Sequence, residues 1–274
     1  MSTAGTTVVT LMLLWSAFGG RTAAAVDYPR LARIADGVYT YEQIDPTKRG
    51  VTVNNLVIVT SAGVLVADGQ GTVENTRRLV ADIAAVTMQP IRYVVAGSIH
   101  GDHRGGDPAF PPTATFITAP ADLSLGGRAV RVLMLGRAHT GTDLEVFLPA
   151  EKILYMSEAF SNRIFPSLAN GYPTEWVAAL EKAEAMDVEV YVPAHAAMSI
   201  GVLITTKDEV RVCRRALERV IAEGRRLHDA KVSIDAATPA ANFGEFGSWT
   251  RAAENAPGAL KRVYLELDGG LRRD

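Results

Sequence analysis

The stretch "VVAGSIHGDHRGG", residues 94–106, decides the fold. It places two of the chain's five histidines, His100 and His103, with Asp102 between them, inside four positions. The run just before the cluster, "IRYVV", is apolar and short and reads as a buried strand, so the polar residues fall in a loop at a strand end. Imidazole and carboxylate are the donor types that suit zinc. Ser98 stands two residues ahead of the first histidine, and Gly101, Gly105 and Gly106 are expected to let the loop turn tightly through positive φ angles.

Working outward, the same placement recurs. His139 follows "AVRVLMLGRA", His195 follows "VEVYVPA", and Glu158 closes the run "KILYM". In open α/β sheets the loops at strand ends line the ligand crevice, so residues distant in sequence converge there. One such histidine alone reads as an ordinary polar residue. Four together, with Asp102 and Glu158 in matching places, point to a metal centre. Asp68, at the end of "GVLVADG", reads either as a strand-ending turn or as the partner that orients a ligand histidine. His228 lies in a helical run and reads as a surface residue.

The rest of the chain alternates strand and helix signals. "GVYTYEQI" is a first strand, and "NNLVIVTSAGVLVADG" is a hairpin turning at Ser61–Gly63. "TVENTRRLVADIAAVT" puts Leu79, Val80, Ile83 and Val86 on one helical face. A second hairpin, "DLEVFLPAEKILYMSEAF", turns at Pro149–Glu151. Thr174 is the expected cap of a helix carrying Trp176, Leu180, Ala183 and Met186. Thr206 and Glu209 form a capping box for a long helix with the stripe Val210, Cys213, Leu217, Val220 and Leu227, and a final helix is expected near Ala259–Leu267. The loop "AFSNRIFPSLANGYP" offers Arg163, Phe165 and Tyr172 as pocket-wall residues.

The 274 residues can bury a sizeable core, and a formal charge of -2 predicts no nucleic-acid partner. The basic run "RVCRRALERVIAEGRR" reads as the solvated face of a helix. The single cysteine, Cys213, excludes an internal disulfide and reads as an inert core thiol. At the start, "TTVVTLMLLWSAF" is too short to span a bilayer comfortably, and "GGRTAAA" supplies small residues for cleavage near Ala25. The expectation is an export signal over residues 1–25 and a periplasmic or secreted protein with no stable membrane association after cleavage. An uncleaved anchor is the second reading. Residues 26–204 then form an αβ/βα core and 205–274 a helical segment packed on it.

The series Ser98-x-His100-x-Asp102-His103, then His139 in "GRAHTGTD", Glu158 in "MSEAF" and His195 in "VPAH", resembles the metallo-β-lactamase superfamily over roughly residues 30–200. The family pattern is His-x-His-x-Asp-His, then a lone His, an Asp and a His, each closing a later strand. The resemblance implies an α/β four-layer αβ/βα sandwich. It also implies a first metal site on the first two loop histidines and the lone later one, and a second on Asp102, His103 and His195. Here Ser98 replaces the first histidine and Glu158 the bridging aspartate. The first site keeps only His100 and His139 and is expected to be weak, because a serine hydroxyl ionises far less readily than imidazole gives up its proton. The resemblance thus implies one zinc in the Asp-His-His site, with Glu158 reaching that ion, spanning both positions or turning aside. The implied function is hydrolysis of a small-molecule ester, thioester, lactone or β-lactam, with Asp102 holding the metal and His100 and His139 as general base or water-orienting groups. The alternative is a catalytically silent binding protein with a degenerate site. A mononuclear-iron dioxygenase reading is disfavoured by the same two replacements.

Overall fold

A computed structural model describes residues 27–200 and 204–271. The segment read as an export signal lies outside them. Alternating apolar residues make strands of the first third of the chain. Strands β1 (Arg30–Ala35), β2 (Val38–Ile44), β3 (Val51–Thr60) and β4 (Gly63–Ala67) pair as antiparallel neighbours. Helix α1 (Val73–Val86) crosses to β5 (Ile91–Val95), which lies parallel to β4, and β6 (Thr115–Ile117) extends that edge. The short helix α2 (Gly101–Arg104) carries the histidine–aspartate cluster.

A second sheet begins with the antiparallel strands β7 (Ala121–Leu125), β8 (Arg128–Leu133), β9 (Glu145–Leu148) and β10 (Ile153–Tyr155). After β11 (Ser161–Asn162) and helix α3 (Pro173–Ala185), strand β12 (Val190–Val192) joins β10 in parallel. The chain then returns to the first sheet as β13 (His195–Ala197), antiparallel to the start of β3 and parallel to β11. Helices α4 (Lys207–Asp229), α5 (Ile234–Ala240) and α6 (Ala252–Leu267) follow.

Period two decides which face each side chain serves. Leu56, Ile58, Leu65 and Ala67 meet Val146, Leu148, Ile153 and Tyr155 between the two sheets. Val57, Val64 and Val66, one residue out of phase, meet Leu79 and Ile83 of α1. Phe147, Leu154 and Tyr191 face the other way, onto α3, α4 and α6. The result is a helix layer on the outer face of each sheet, the αβ/βα sandwich expected. Each fully buried Leu, Ile or Phe contributes roughly 1.5–3 kcal/mol before entropy is counted.

Several local expectations are corrected. Gly101, Gly105 and Gly106 are not among the residues with positive φ. They matter for room instead: a Cβ on Gly105 would overlap the Gly71 carbonyl, and one on Gly106 the Thr76 hydroxyl. Thr174 does not cap α3; Tyr172 occupies the cap and Pro173 the first turn, where its fixed φ suits a helix start. The Thr174 hydroxyl donates instead to Glu266 at 2.9 Å. The capping box does not close either. Thr206 is the cap of α4 but accepts no side-chain bond, and the Glu209 carboxylate pairs with Arg163 at 2.7 Å. The stripe of α4 is buried as expected.

Candidate metal centre

Asp68 organises the site from below. It is buried at the end of β4 with φ 62. Its Oδ1 accepts the N–H groups of Gly97 (2.7 Å) and Ser98 (3.2 Å), pinning the loop after β5. Its Oδ2 accepts the hydroxyls of Tyr155 (2.6 Å) and Ser157 (2.9 Å) and lies 3.4 Å from His103 Nδ1. The loop then turns through α2, which brings Asp102 and His103 to the same side. His195 enters on β13, where its Nδ1 lies 2.8 Å from the Thr52 carbonyl. A carbonyl only accepts, so Nδ1 is the donor there and Nε2 is the nitrogen left to face the site.

That nitrogen lies among the other donors. His103 Nε2 is 3.1 Å from His195 Nε2. Asp102 Oδ2 is 3.2 Å from His195 Nε2 and 3.8 Å from His103 Nε2. Glu158 Oε1 is 3.5 and 3.8 Å from the same two nitrogens. A tetrahedral ion with bonds of roughly 2.0–2.1 Å needs donors about 3.3–3.4 Å apart. The four donors therefore fit a zinc-sized cation, and two facing imidazole nitrogens need a proton or a metal between them.

A second group shares one of these donors. His139 Nε2 is 3.2 Å from Glu158 Oε1 and 3.2 Å from His100 Nδ1, and His100 Nδ1 is 2.8 Å from Glu158 Oε2. The ligand atoms of His100, His139 and Glu158 form a group that can hold a metal ion, as do those of Asp102, His103, Glu158 and His195. Glu158 thus belongs to both groups. The Ser98 hydroxyl donates to Glu158 Oε2, so Ser98 supports the carboxylate.

The charges reinforce one another. Burial alone would raise Glu158, but His139, His103 and His100 hold its carboxyl well below the usual range. Burial likewise opposes ionisation of Asp102, and is outweighed by the His195 bond and the neighbouring imidazoles, which pull it down. His103, fully buried, is still pushed up to about 9 by Glu158, Asp68 and Asp102. The bond to Glu158 raises His100. The groups are arranged to concentrate negative charge around the point that the imidazoles face.

No protein-family model matches the chain. Among solved structures, it superposes on a metallo-β-lactamase from Pontibacter korlensis with a TM-score of 0.60 and 19% identity, covering 69% of this chain and 99% of that one. A second, from Erythrobacter litoralis and solved with β-mercaptoethanol in its active site, gives a TM-score of 0.56 at 19% identity, covering 69% and 95%. The fold is that of the metallo-β-lactamases.

In this version of the metallo-β-lactamase fold the cluster opens into a cavity of about 360 Å³. His100, Asp102, His139, Glu158 and His195 line it, together with Ile164, Phe165, Trp176 and Leu217. His103 lies behind them, fully buried. Of the loop residues expected on the wall, Phe165 is there. Arg163 is not: it pairs with Glu209. Tyr172 is not either, held between the guanidinium groups of Arg137 (4.1 Å) and Arg262 (5.3 Å). Cys213 touches the cavity but is buried, which pushes its thiol up to about 12 and leaves it inert. Sequence reasoning missed Lys48, whose ammonium pairs with Asp102, and Arg251 and Asn255 from the C-terminal helices. No motif marks these three; they come from loops and helix starts that only the fold brings together.

Proposed function

We propose that the chain is a metal-dependent hydrolase using one zinc held by Asp102, His103 and His195, with Glu158 as the adjustable fourth donor. The observation that carries this reading is the set of donor separations, 3.1–3.8 Å, around His103 and His195. Bound there, zinc would supply Lewis acidity and an acidified water. The chain's own groups do the rest. Thr52 fixes the His195 ring through Nδ1, and Asp68 backs His103. Glu158 shares Oε1 with His139, so it is the donor able to give way to a substrate atom. His100, raised by Glu158, is placed to give a proton to a leaving group, and His139 to take one, an effect worth typically 10²–10⁴-fold. The apolar walls limit water and suit an ester, thioester, lactone or β-lactam with a hydrophobic body. Export to the periplasm or medium accompanies this proposal.

The test is metal analysis of the purified protein with a hydrolysis panel of those four substrate classes. About one equivalent of zinc with turnover is expected. Less than about a tenth of an equivalent after zinc loading, with no turnover, would leave a binding protein with a degenerate site instead.

A further inference from the structure

We propose that Arg251 makes the cavity a receptor for a carboxylate attached to an apolar body. This names the substrate class of the hydrolase proposed above and rests on that reading. Arg251 is the residue before α6 and adopts the left-handed region, φ 64 and ψ 20. Glycine or asparagine sits there with less strain, so the backbone gives no reason for an arginine. Strain of this kind persists only where the surroundings hold it, and here they do. Thr250 bridges Ile164, its carbonyl accepts Phe165 N–H at 2.9 Å, and Asn255 Nδ2 donates to the Phe165 carbonyl at 2.8 Å. The Asn255 N–H closes on the Arg251 carbonyl at 2.9 Å. The arginine's backbone is therefore fixed from both sides, and the residue lines the cavity.

Its guanidinium has no side-chain partner among the described residues. Several arginines elsewhere are ion-paired: Arg163 with Glu209, Arg214 with Glu184 and Arg226 with Glu223. The second cation of the cavity, Lys48, is already spent on Asp102 and Asp45. Five N–H donors in a planar fork match a carboxylate in two parallel bonds. One guanidinium without a side-chain partner, in a cavity that Asp102 and Glu158 also line, suits a monoanion better than a dianionic phosphate. Ile164, Phe165, Trp176 and Leu217 of the same cavity offer the apolar body its place.

Calorimetric titration of the full chain, zinc-loaded and again after chelation, tests this with 2-naphthoate, its neutral analogue 2-naphthamide, and 2-naphthyl phosphate. Naphthoate should bind about tenfold or more tightly than naphthamide in the chelated protein, and Arg251→Asn should remove that preference. Asparagine tolerates the left-handed backbone, and the melting temperature checks that the variant folds. Arg251→Lys, which keeps the charge and loses the fork, should fall between. Equal binding of naphthoate and naphthamide, unchanged naphthoate binding in a folded Arg251→Asn protein, or preference for the phosphate would each overturn the assignment. Arg251-dependent capture in a protein that hydrolyses nothing in the panel would uphold this inference and sink the hydrolase reading. Turnover without that capture would do the reverse.

Discussion

The side chains of Ser98 and Glu158 meet at one buried spot. The Ser98 hydroxyl donates to Glu158 Oε2, the oxygen that also lies beside His100, and both residues are buried. Placing a histidine at position 98 without shortening Glu158 should therefore crowd the site. Ser98→His alone is expected to cost about 1–3 kcal/mol by overpacking, whereas Ser98→His with Glu158→Asp should recover the loss and raise zinc stoichiometry towards two. Thermal melts and metal analysis of both variants check this; a stable single variant that already takes up the second zinc would show that the two positions do not share space. Glu145 is a different kind of buried carboxyl. Among the described residues its Oε2 accepts only Leu135 N–H, at 3.1 Å, and its Oε1 has no hydrogen-bond partner. Burial pushes its pKa well above the ordinary value, with Asp143 adding to the rise. A raised carboxyl holds its proton longer in the folded state, so its contribution is complete below the unfolded pKa and is lost as pH rises towards the folded one. Glu145→Gln should thus gain stability relative to wild type between pH 5 and pH 8. Urea midpoints at the two pH values read this, and an equal difference at both would refute it.

Among the elements, α4 shows how far a pattern carries. Its buried stripe was legible because Val210, Cys213, Leu217, Val220 and Leu227 recur at helical spacing, and burial enforces that spacing. Leu217 belongs both to the apolar cluster and to the cavity wall. Leu217→Ala should cost about 2–5 kcal/mol and also enlarge the cavity, seen as a lower melting temperature and altered naphthoate affinity. A loss below about 0.5 kcal/mol would mean the helix is not anchored there. The ends of elements were less legible. Strand β1 is half-buried along nearly its whole length, and β7 alternates half-buried with exposed residues, both at the rims of their sheets, so their hydrophobic signal is weak and was not read. Helix α5, seven residues with Pro239 inside it, was missed for the same reason. The six donors were legible because each follows a strand run, a position that strand periodicity marks. Lys48 and Arg251 were not, since nothing in "DPTKRG" or "SWTRAAEN" ties either to a distant cavity.

Across the whole molecule, the donors come from four separate stretches of chain: His100, Asp102 and His103 after β5, His139 after β8, Glu158 after β10, and His195 on β13. Only the folded chain presents them together, so a bound ion stabilises the native state over the unfolded one. Zinc at about a thousand times its dissociation constant should add about 4 kcal/mol, visible as a rise in melting temperature that chelation reverses and that Asp102→Asn or His195→Ala abolishes. An unchanged melting temperature on zinc addition would argue against a site assembled by folding. The C-terminal helices share one apolar interior with the outer face of the second sheet, and they also supply Leu217, Arg251 and Asn255 to the cavity. They cannot be exchanged as a cassette. Anyone wishing to redirect such a protein towards a new ligand would have to repaint the cavity-facing side chains one at a time, because removing the helices would strip the core and the recognition surface in the same cut.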